Sequence, residues 1–309
     1  MKVLVTGGAG FIGSHIVHRL VESGDHVRVA DNFTTGKREN LRAVERDVEI
    51  VAADVRDKDA MRRLASGCDV IFHEAAIVSV PYSVEHPEET NAVNIQGTLH
   101  VLSAARHAGV RRVVFASSAA IYGDEPTMPK CETMLPDPVS PYGVEKLASE
   151  HYLRAYHRLH GVETVALRYF NVFGPRQDPS SPYSGVISVF ASRVLSNEPI
   201  TIFGDGTQSR DFVYVANVVD ANLAAASAEL AGGRVYNVAC GKKTTLLELA
   251  DNIGRAAHVT VNKTFAPPRA GDIRDSLADI TRARTELGYT PRISVDEGLG
   301  LFIRYLRTP

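Results

Sequence analysis

The chain has 309 residues, 44% hydrophobic and 23% charged, which is enough for one dominant globular core and a second lobe. A formal net charge of -2 excludes a global basic field, so nucleic acid and anionic membranes are not expected partners, while a small anionic substrate needs only a few arginines. Cys68, Cys131 and Cys240 draw neither a disulfide framework nor CxxC spacing, none of the 11 histidines shows paired ligand spacing, and no apolar run reaches the ~20 residues of a bilayer span.

Val3-Leu4-Val5 predicts a first strand with no signal-like segment before it, and Ile12, Ile16, Val17, Leu20 and Val21 form the apolar stripe of a helix. Further strands are expected at His26–Ala30, Val48–Val51, Val70–Phe72 and Val113–Phe115, with segments of helical character between them. The amphipathic stretch Tyr142–Leu159 predicts a long helix, and Val162–Arg168 another strand. Strands alternating with helices need crossover connections, so the expected class is α/β, a doubly wound parallel sheet with a smaller α/β lobe. Beyond Asn171, residues Pro175, Pro179, Pro182, Pro199, Pro267 and Pro268 break the chain into shorter pieces. The first domain is therefore expected over 1–170 and the second lobe over 171–309, with stretches such as Val213–Ala226 packing back on the first. A metal-free protein of a reducing cytoplasm is expected.

Gly7-Gly8-Ala9-Gly10-Phe11-Ile12-Gly13 joins the first strand to the first helix and satisfies both G-x-G-x-x-G and G-x-x-G-x-x-G. Glycines there permit a tight turn and let backbone amides approach a pyrophosphate, and the helix N-terminus adds partial positive charge. Asp31 ends the second strand, 18 residues beyond Gly13, where a carboxylate accepts from the adenosine ribose hydroxyls and repels a 2′-phosphate. The expected cofactor is NAD on a Rossmann sheet. Asp54, after the third strand, suits the adenine amino group or a helix cap, and Ala75, Ala76 and Asn94 are further lining positions.

Tyr142 and Lys146 stand at i and i+4, on one face of the long helix. A phenol titrates near ~10, too high for a base at neutral pH, but a neighbouring ammonium and a positive nicotinamide ring are expected to lower it. Ser117 and Ser118 follow the strand Val113–Phe115, at the carboxyl edge where open α/β sheets bind ligands. A serine hydroxyl there can bond a reacting hydroxyl and relay its proton.

This combination resembles the extended short-chain dehydrogenase/reductase family, in particular its nucleotide-sugar 4-epimerases. The resemblance runs through Thr6–Gly13, Asp31-Asn32, Ser117–Gly123, Ser140–Lys146, Leu167–Gln177, Phe203–Gly206, Ser209–Val215 and Arg269–Asp272. It implies a UDP-sugar inverted at C4 through a bound 4-keto sugar, with Tyr142 as base, Lys146 as its partner and Ser118 as hydroxyl ligand. Gly7, Gly10, Phe11, Ile12, Gly13, Asp31, Asn32, Asp54, Val55, Ala75, Ala76, Asn94, Tyr142, Lys146 and Tyr169 would then hold NAD. The UDP-sugar would meet Ser79, Ser118, Tyr142, Asn171 and Val186. Phe203 would lie on the uracil, Arg210 and Arg269 would clamp the diphosphate, and Asp272 would bond the uridine ribose. Helices around 93–108 and 142–158 would pair into a homodimer.

Relatives that dehydrate or decarboxylate the sugar carry an added carboxylate just after the serine, whereas Ser118-Ala119-Ala120-Ile121-Tyr122-Gly123 has none before Asp124. Gln177-Asp178-Pro179 and Ser79-Val80-Pro81 are similar to the hexosamine branch, and Ser276, where hexose-restricted relatives can carry tyrosine, leaves volume for an N-acetyl group. UDP-N-acetylglucosamine and UDP-N-acetylgalactosamine are expected first. UDP-glucose and UDP-galactose alone, UDP-glucuronate, and a non-catalytic dinucleotide sensor remain as alternatives. Glu74 departs from the apolar residue expected after His73.

Overall fold

The computed structural model describes residues 1–178, 185–268 and 274–308. From the N-terminus, β1 (Lys2–Thr6), α1 (Phe11–Glu22), β2 (His26–Asp31) and β3 (Val48–Ala52) lead to α2 (Lys58–Ala65) and β4 (Val70–His73). Two short helices, α3 (Val80–Glu85) and α4 (Pro87–Asn91), precede a π-helical turn over Ala92–Gln96 that runs into α5 (Gly97–Ala108). Then come β5 (Arg112–Ser118), α6 (Pro141–His160) and β6 (Glu163–Tyr169). Ser117 and Ser118 are thus the last two residues of β5 rather than residues beyond it, because their backbone pairs on against Arg168 and Tyr169.

The chain continues through β7 (Asn171–Phe173), α7 (Val186–Leu195), β8 (Ile200–Phe203), β9 (Ser209–Arg210), β10 (Phe212–Tyr214) and α8 (Val215–Ser227). It ends with β11 (Arg234–Val238), β12 (Thr244–Thr245), α9 (Leu246–Ala257), β13 (Lys263–Ala266), α10 (Thr281–Leu287) and α11 (Val295–Arg307).

Seven strands form one sheet in the order β11-β6-β5-β4-β1-β2-β3, every neighbouring pair parallel. Strand order reverses between β1 and β4, and the cleft at the carboxyl ends of these two strands is the place where doubly wound sheets take a ligand. Alternation along β1 divides the apolar side chains between two faces: Val3 and Val5 join one core cluster, Leu4 the other. α8 packs against α1, β5 and β6, and β11 supplies the seventh strand, so these two pieces of the later half complete the first layer. A third cluster, built on Phe173, Phe190, Ile202, Phe212, Leu249 and Phe302, holds α7, β8, α9 and α11 together as the smaller lobe.

Candidate active site

The turn after β1 is shaped by Gly7, whose φ of 67° is left-handed and whose missing Cβ would sit 2.7 Å from the Ala75 amide nitrogen. β4 can therefore run close beside the glycine turn. Asp31 is buried and accepts hydrogen bonds from the amides of Ala9 (2.9 Å) and Phe33 (2.8 Å). It fastens the glycine turn to the end of β2, a role the spacing to Gly13 did not reveal. Its carboxylate retains lone pairs for further donors. Phe11 and Ile12 begin α1, whose first turn has no side-chain cap and no acidic residue. That leaves the helix N-terminus chemically fit for a pyrophosphate.

Around the far end of this half, Asn32 donates to Asp54 at 2.9 Å, and Asp54 pairs with Arg56 at 2.8 Å. The Arg56 hydrogen bond holds the Asp54 carboxyl well below the usual range. Val55 is buried against Gly97 of α5. The Asn94 amide is engaged within the protein: it bonds both backbone groups of Ile77 at 2.9 Å and donates to Glu145 at 2.6 Å. The π-helical turn leaves the Asn94 carbonyl to accept from the hydroxyls of Thr98 (2.6 Å) and Ser149 (3.1 Å). Asn94 thus holds the loop after β4 against α6.

Three of the expected residues converge at the carboxyl end of β5. Ser140 caps α6 by accepting from the Gly143 amide, and Ser83 of α3 accepts from the Tyr142 amide at 3.1 Å. A Cβ at Gly143 would lie 2.8 Å from the Ala120 carbonyl oxygen, so glycine lets the start of α6 approach the turn that follows Ser118. The Ser118 hydroxyl stands close enough to the Tyr142 phenol to ease its ionisation. Lys146 Nζ donates to the Ala116 carbonyl at 2.7 Å and stands 5.7 Å from the centre of the Tyr142 ring.

Electrostatically, the site differs from expectation. Burial, with Glu145 and Glu74 adding to it, pushes the Tyr142 phenol up to about 12, against the Ser118 hydrogen bond. Burial also brings Lys146 down to about 8, against the nearby carboxylates of Glu74, Glu145 and Glu150. Spacing alone put an ammonium beside a phenol; desolvation of both outweighs that pairing.

Glu74 lies one residue past β4, partly buried, and accepts from the Tyr169 hydroxyl at 3.0 Å; Asn222 of α8 donates to the same hydroxyl at 2.7 Å. Ala75 and Ala76 continue this floor as small, partly buried residues. Ser79 caps α3 by accepting from the Tyr82 amide at 3.1 Å.

On the other side, Asn171 pairs with Phe212 across β7 and β10 and donates to the Asp211 carbonyl at 3.3 Å, beside Arg210. Arg210 reaches the Arg274 carbonyl, and the Ser276 amide donates to the Ser209 carbonyl at 3.0 Å, so Arg210 and Ser276 share one edge. Asp211 is buried and accepts from the amides of Cys240, Gly241 and Ala278. It ties Arg210 to the 275–279 segment, and nothing in its local spacing announces this. Phe203 ends β8 with its carbonyl bonded by Gln208, and Val186 begins α7. Arg269 and Asp272 lie outside the described residues. Among the described residues, no group of three or more His, Cys, Asp or Glu is placed to hold a metal ion, and no helix is long and apolar enough to cross a membrane.

Residues 3–239 match the model of the NAD dependent epimerase/dehydratase family. Among solved structures, the fold is similar to UDP-glucose 4-epimerase of Thermotoga maritima with UDP-glucose, at a TM-score of 0.94 and 41% identity, covering 99% of each chain. UDP-N-acetylglucosamine 4-epimerase of Methanobrevibacter ruminantium in complex with UDP-N-acetylmuramic acid is equally similar, at 0.94 and 40%, over 99% of this chain and 97% of that one. UDP-glucose 4-epimerase of Thermus thermophilus in complex with NAD follows at 0.90 and 41%, over 100% of this chain and 99% of that one.

Proposed function

The chain belongs to the NAD dependent epimerase/dehydratase family, and on that premise we propose that it inverts C4 of a UDP-sugar, preferring UDP-N-acetylglucosamine and UDP-N-acetylgalactosamine. The convergence of Ser118, Tyr142 and Lys146 at the end of β5, beside the glycine turn, carries this assignment. Residues 1–170 hold NAD, joined in their layer by α8 and β11, and the remainder of 171–309 holds the sugar nucleotide. NAD, when bound, supplies the hydride-accepting ring and a positive charge.

Tyr142 takes the proton of the C4 hydroxyl, which Ser118 orients. Lys146 offers donors to the nicotinamide ribose and adds positive charge beside the phenol. Loss of that proton together with the C4 hydride, which NAD would accept, leaves a 4-keto sugar that turns over between Asn171, Ser79 and the β9 edge. Return of the hydride to its other face and of the proton from Tyr142 leaves C4 inverted and no net oxidation. Gly7, Gly10, Gly13, Phe11 and Ile12 cradle the pyrophosphate, and Asp31 takes the adenosine ribose. Arg210 and Arg269 meet the UDP diphosphate, with Phe203, Val186 and Asp272 around the uridine.

Ser276, partly buried on the edge it shares with Arg210, supports the choice of an acetamido sugar, because a small side chain leaves room beside C2. Purified protein offered UDP-N-acetylglucosamine, UDP-glucose and UDP-glucuronate separately is expected to produce the 4-epimer of the acetamido sugar by NMR. Ser276→Tyr should cut kcat/KM for that sugar by about tenfold or more relative to UDP-glucose, the cost of overfilling a pocket. Conversion of UDP-glucose alone would keep the mechanism and overturn the pocket assignment. Exclusive uronate turnover would overturn the likeness of Gln177-Asp178-Pro179 to the hexosamine branch.

A homodimer in the cytoplasm completes the proposal. Val144, Tyr152 and Leu159 are exposed on α6, and with Ala148 and Ala155 they form one stripe at helical spacing, on the side away from buried Leu153. Sedimentation equilibrium at micromolar protein should give twice the chain mass, and Val144→Glu/Tyr152→Glu should give the monomer. A monomeric parent chain would remove this interface.

A further inference from the structure

Three carboxylates surround Lys146, and two of them are already engaged. Glu145 accepts from Thr90 and Asn94, both at 2.6 Å. Glu150 accepts from Ser117 and two nitrogens of Arg168. Glu74 has the Tyr169 hydroxyl as its donor, and no guanidinium or ammonium forms an ion pair with it among the described residues. Its position is equally specific. The Glu74 amide donates to the Thr6 carbonyl at 3.1 Å, and its own carbonyl carbon lies where a Cβ on Gly7 would be 2.9 Å away. Glu74 therefore sits on the floor of the β1/β4 cleft, facing Tyr142 and Lys146 from α6, Tyr169 from β6 and, through Tyr169, Asn222 from α8. His73, its neighbour, turns to Thr6 and Thr98 instead.

We propose that Glu74 is the counter-charge of the oxidised cofactor: a carboxylate in this cleft that favours bound NAD over bound NADH. The proposal rests on the cleft being the dinucleotide site with Tyr142 and Lys146 at its reacting end. A nicotinamide positioned to exchange hydride with a sugar on Tyr142 stands within the field that Tyr142 and Lys146 already feel from Glu74. NAD and NADH share adenine, riboses and pyrophosphate and differ by the positive charge of the oxidised ring, so a nearby carboxylate separates their affinities. Desolvation raises Glu74 to about 7, while the Tyr169 hydrogen bond and Lys146 pull it down. Its charge is therefore present above neutrality and lost below it.

Titration of the parent chain and of Glu74→Gln with NAD by calorimetry, and with NADH by its fluorescence, tests this directly. Glutamine keeps the shape and an acceptor for Tyr169. The preference for NAD over NADH should fall by about tenfold, the size of a one-unit electrostatic interaction, through weaker NAD binding. An unchanged ratio overturns the proposal.

A second arm works even if Glu74→Gln folds poorly. In Tyr142→Phe/Lys146→Arg, where the Tyr142 phenol is gone and the neighbouring cation keeps its charge at every pH used, the preference for NAD should rise as pH climbs through neutrality; a flat ratio overturns the proposal. Failure of both cofactors to bind the parent would overturn the dinucleotide site itself, and the role of Glu74 with it.

Discussion

Tyr142→Phe is expected to lower turnover by about 10²- to 10⁴-fold while leaving NAD bound, the loss that accompanies removal of a positioned general base. Phenylalanine keeps the ring, which is 8% exposed and packed at the start of α6, so the fold should hold. What disappears is the hydroxyl beside Ser118, and Ser118 cannot replace it because its own oxygen accepts from the Ala120 amide and a serine hydroxyl is too weakly acidic to store the proton. Since burial first, and Glu145 and Glu74 after it, raise the phenol to about 12, the phenolate is scarce until positive charge enters the cleft. The parent's kcat should accordingly climb with pH along a limb that Tyr142→Phe lacks. Turnover measured by NMR and cofactor retention measured by NADH fluorescence separate catalysis from binding. Parent-like turnover in the variant would remove Tyr142 from proton transfer.

Arg168→Met carries the largest expected stability effect, a loss of about 3–5 kcal/mol in urea unfolding. Arg168 on β6 and Glu150 on α6 are 3% and 2% exposed and are joined by two hydrogen bonds of 2.9 and 2.7 Å. A third guanidinium nitrogen donates to the Tyr122 hydroxyl at 2.9 Å, which in turn donates to Asn237 of β11 at 2.7 Å. Removal of Arg168 would leave the Glu150 carboxylate buried with the Ser117 hydroxyl as its remaining donor. The penalty is that of an uncompensated buried charge, not the net worth of the pair. Arg168→Met/Glu150→Met should therefore recover part of the loss, because two apolar side chains remove both charges together. A double variant no more stable than Arg168→Met would assign the loss to packing instead.

Much of the site was legible because its elements are local. Tyr142 and Lys146 share a helix face by spacing alone, and the glycine turn between β1 and α1 is written in seven consecutive residues. Asp31 stands out in the sequence by its distance from Gly13, but its two amide partners depend on how the turn folds back. Asn94 was expected to face the cofactor; the structure engages its amide with Ile77 and Glu145, contacts that need α6 beside the π-helical turn. Asp211 falls within the Ser209–Val215 segment, but its bonding role was not legible there, since the amides it binds come from about 30 to 67 residues away.

Local pattern carried the order of strands and helices up to β6, the parallel sheet, the glycine turn and the position of the Tyr142–Lys146 pair. Each depends on periodicity or spacing within a few neighbouring residues, where backbone geometry dictates direction. Tertiary structure alone decided the acidity of Tyr142, the company of Glu74 and the joining of β11 to the first layer. Proton affinity follows from desolvation and from charges brought together in space: Glu74 and Tyr169 stand 95 residues apart in the chain and 3.0 Å apart in the fold.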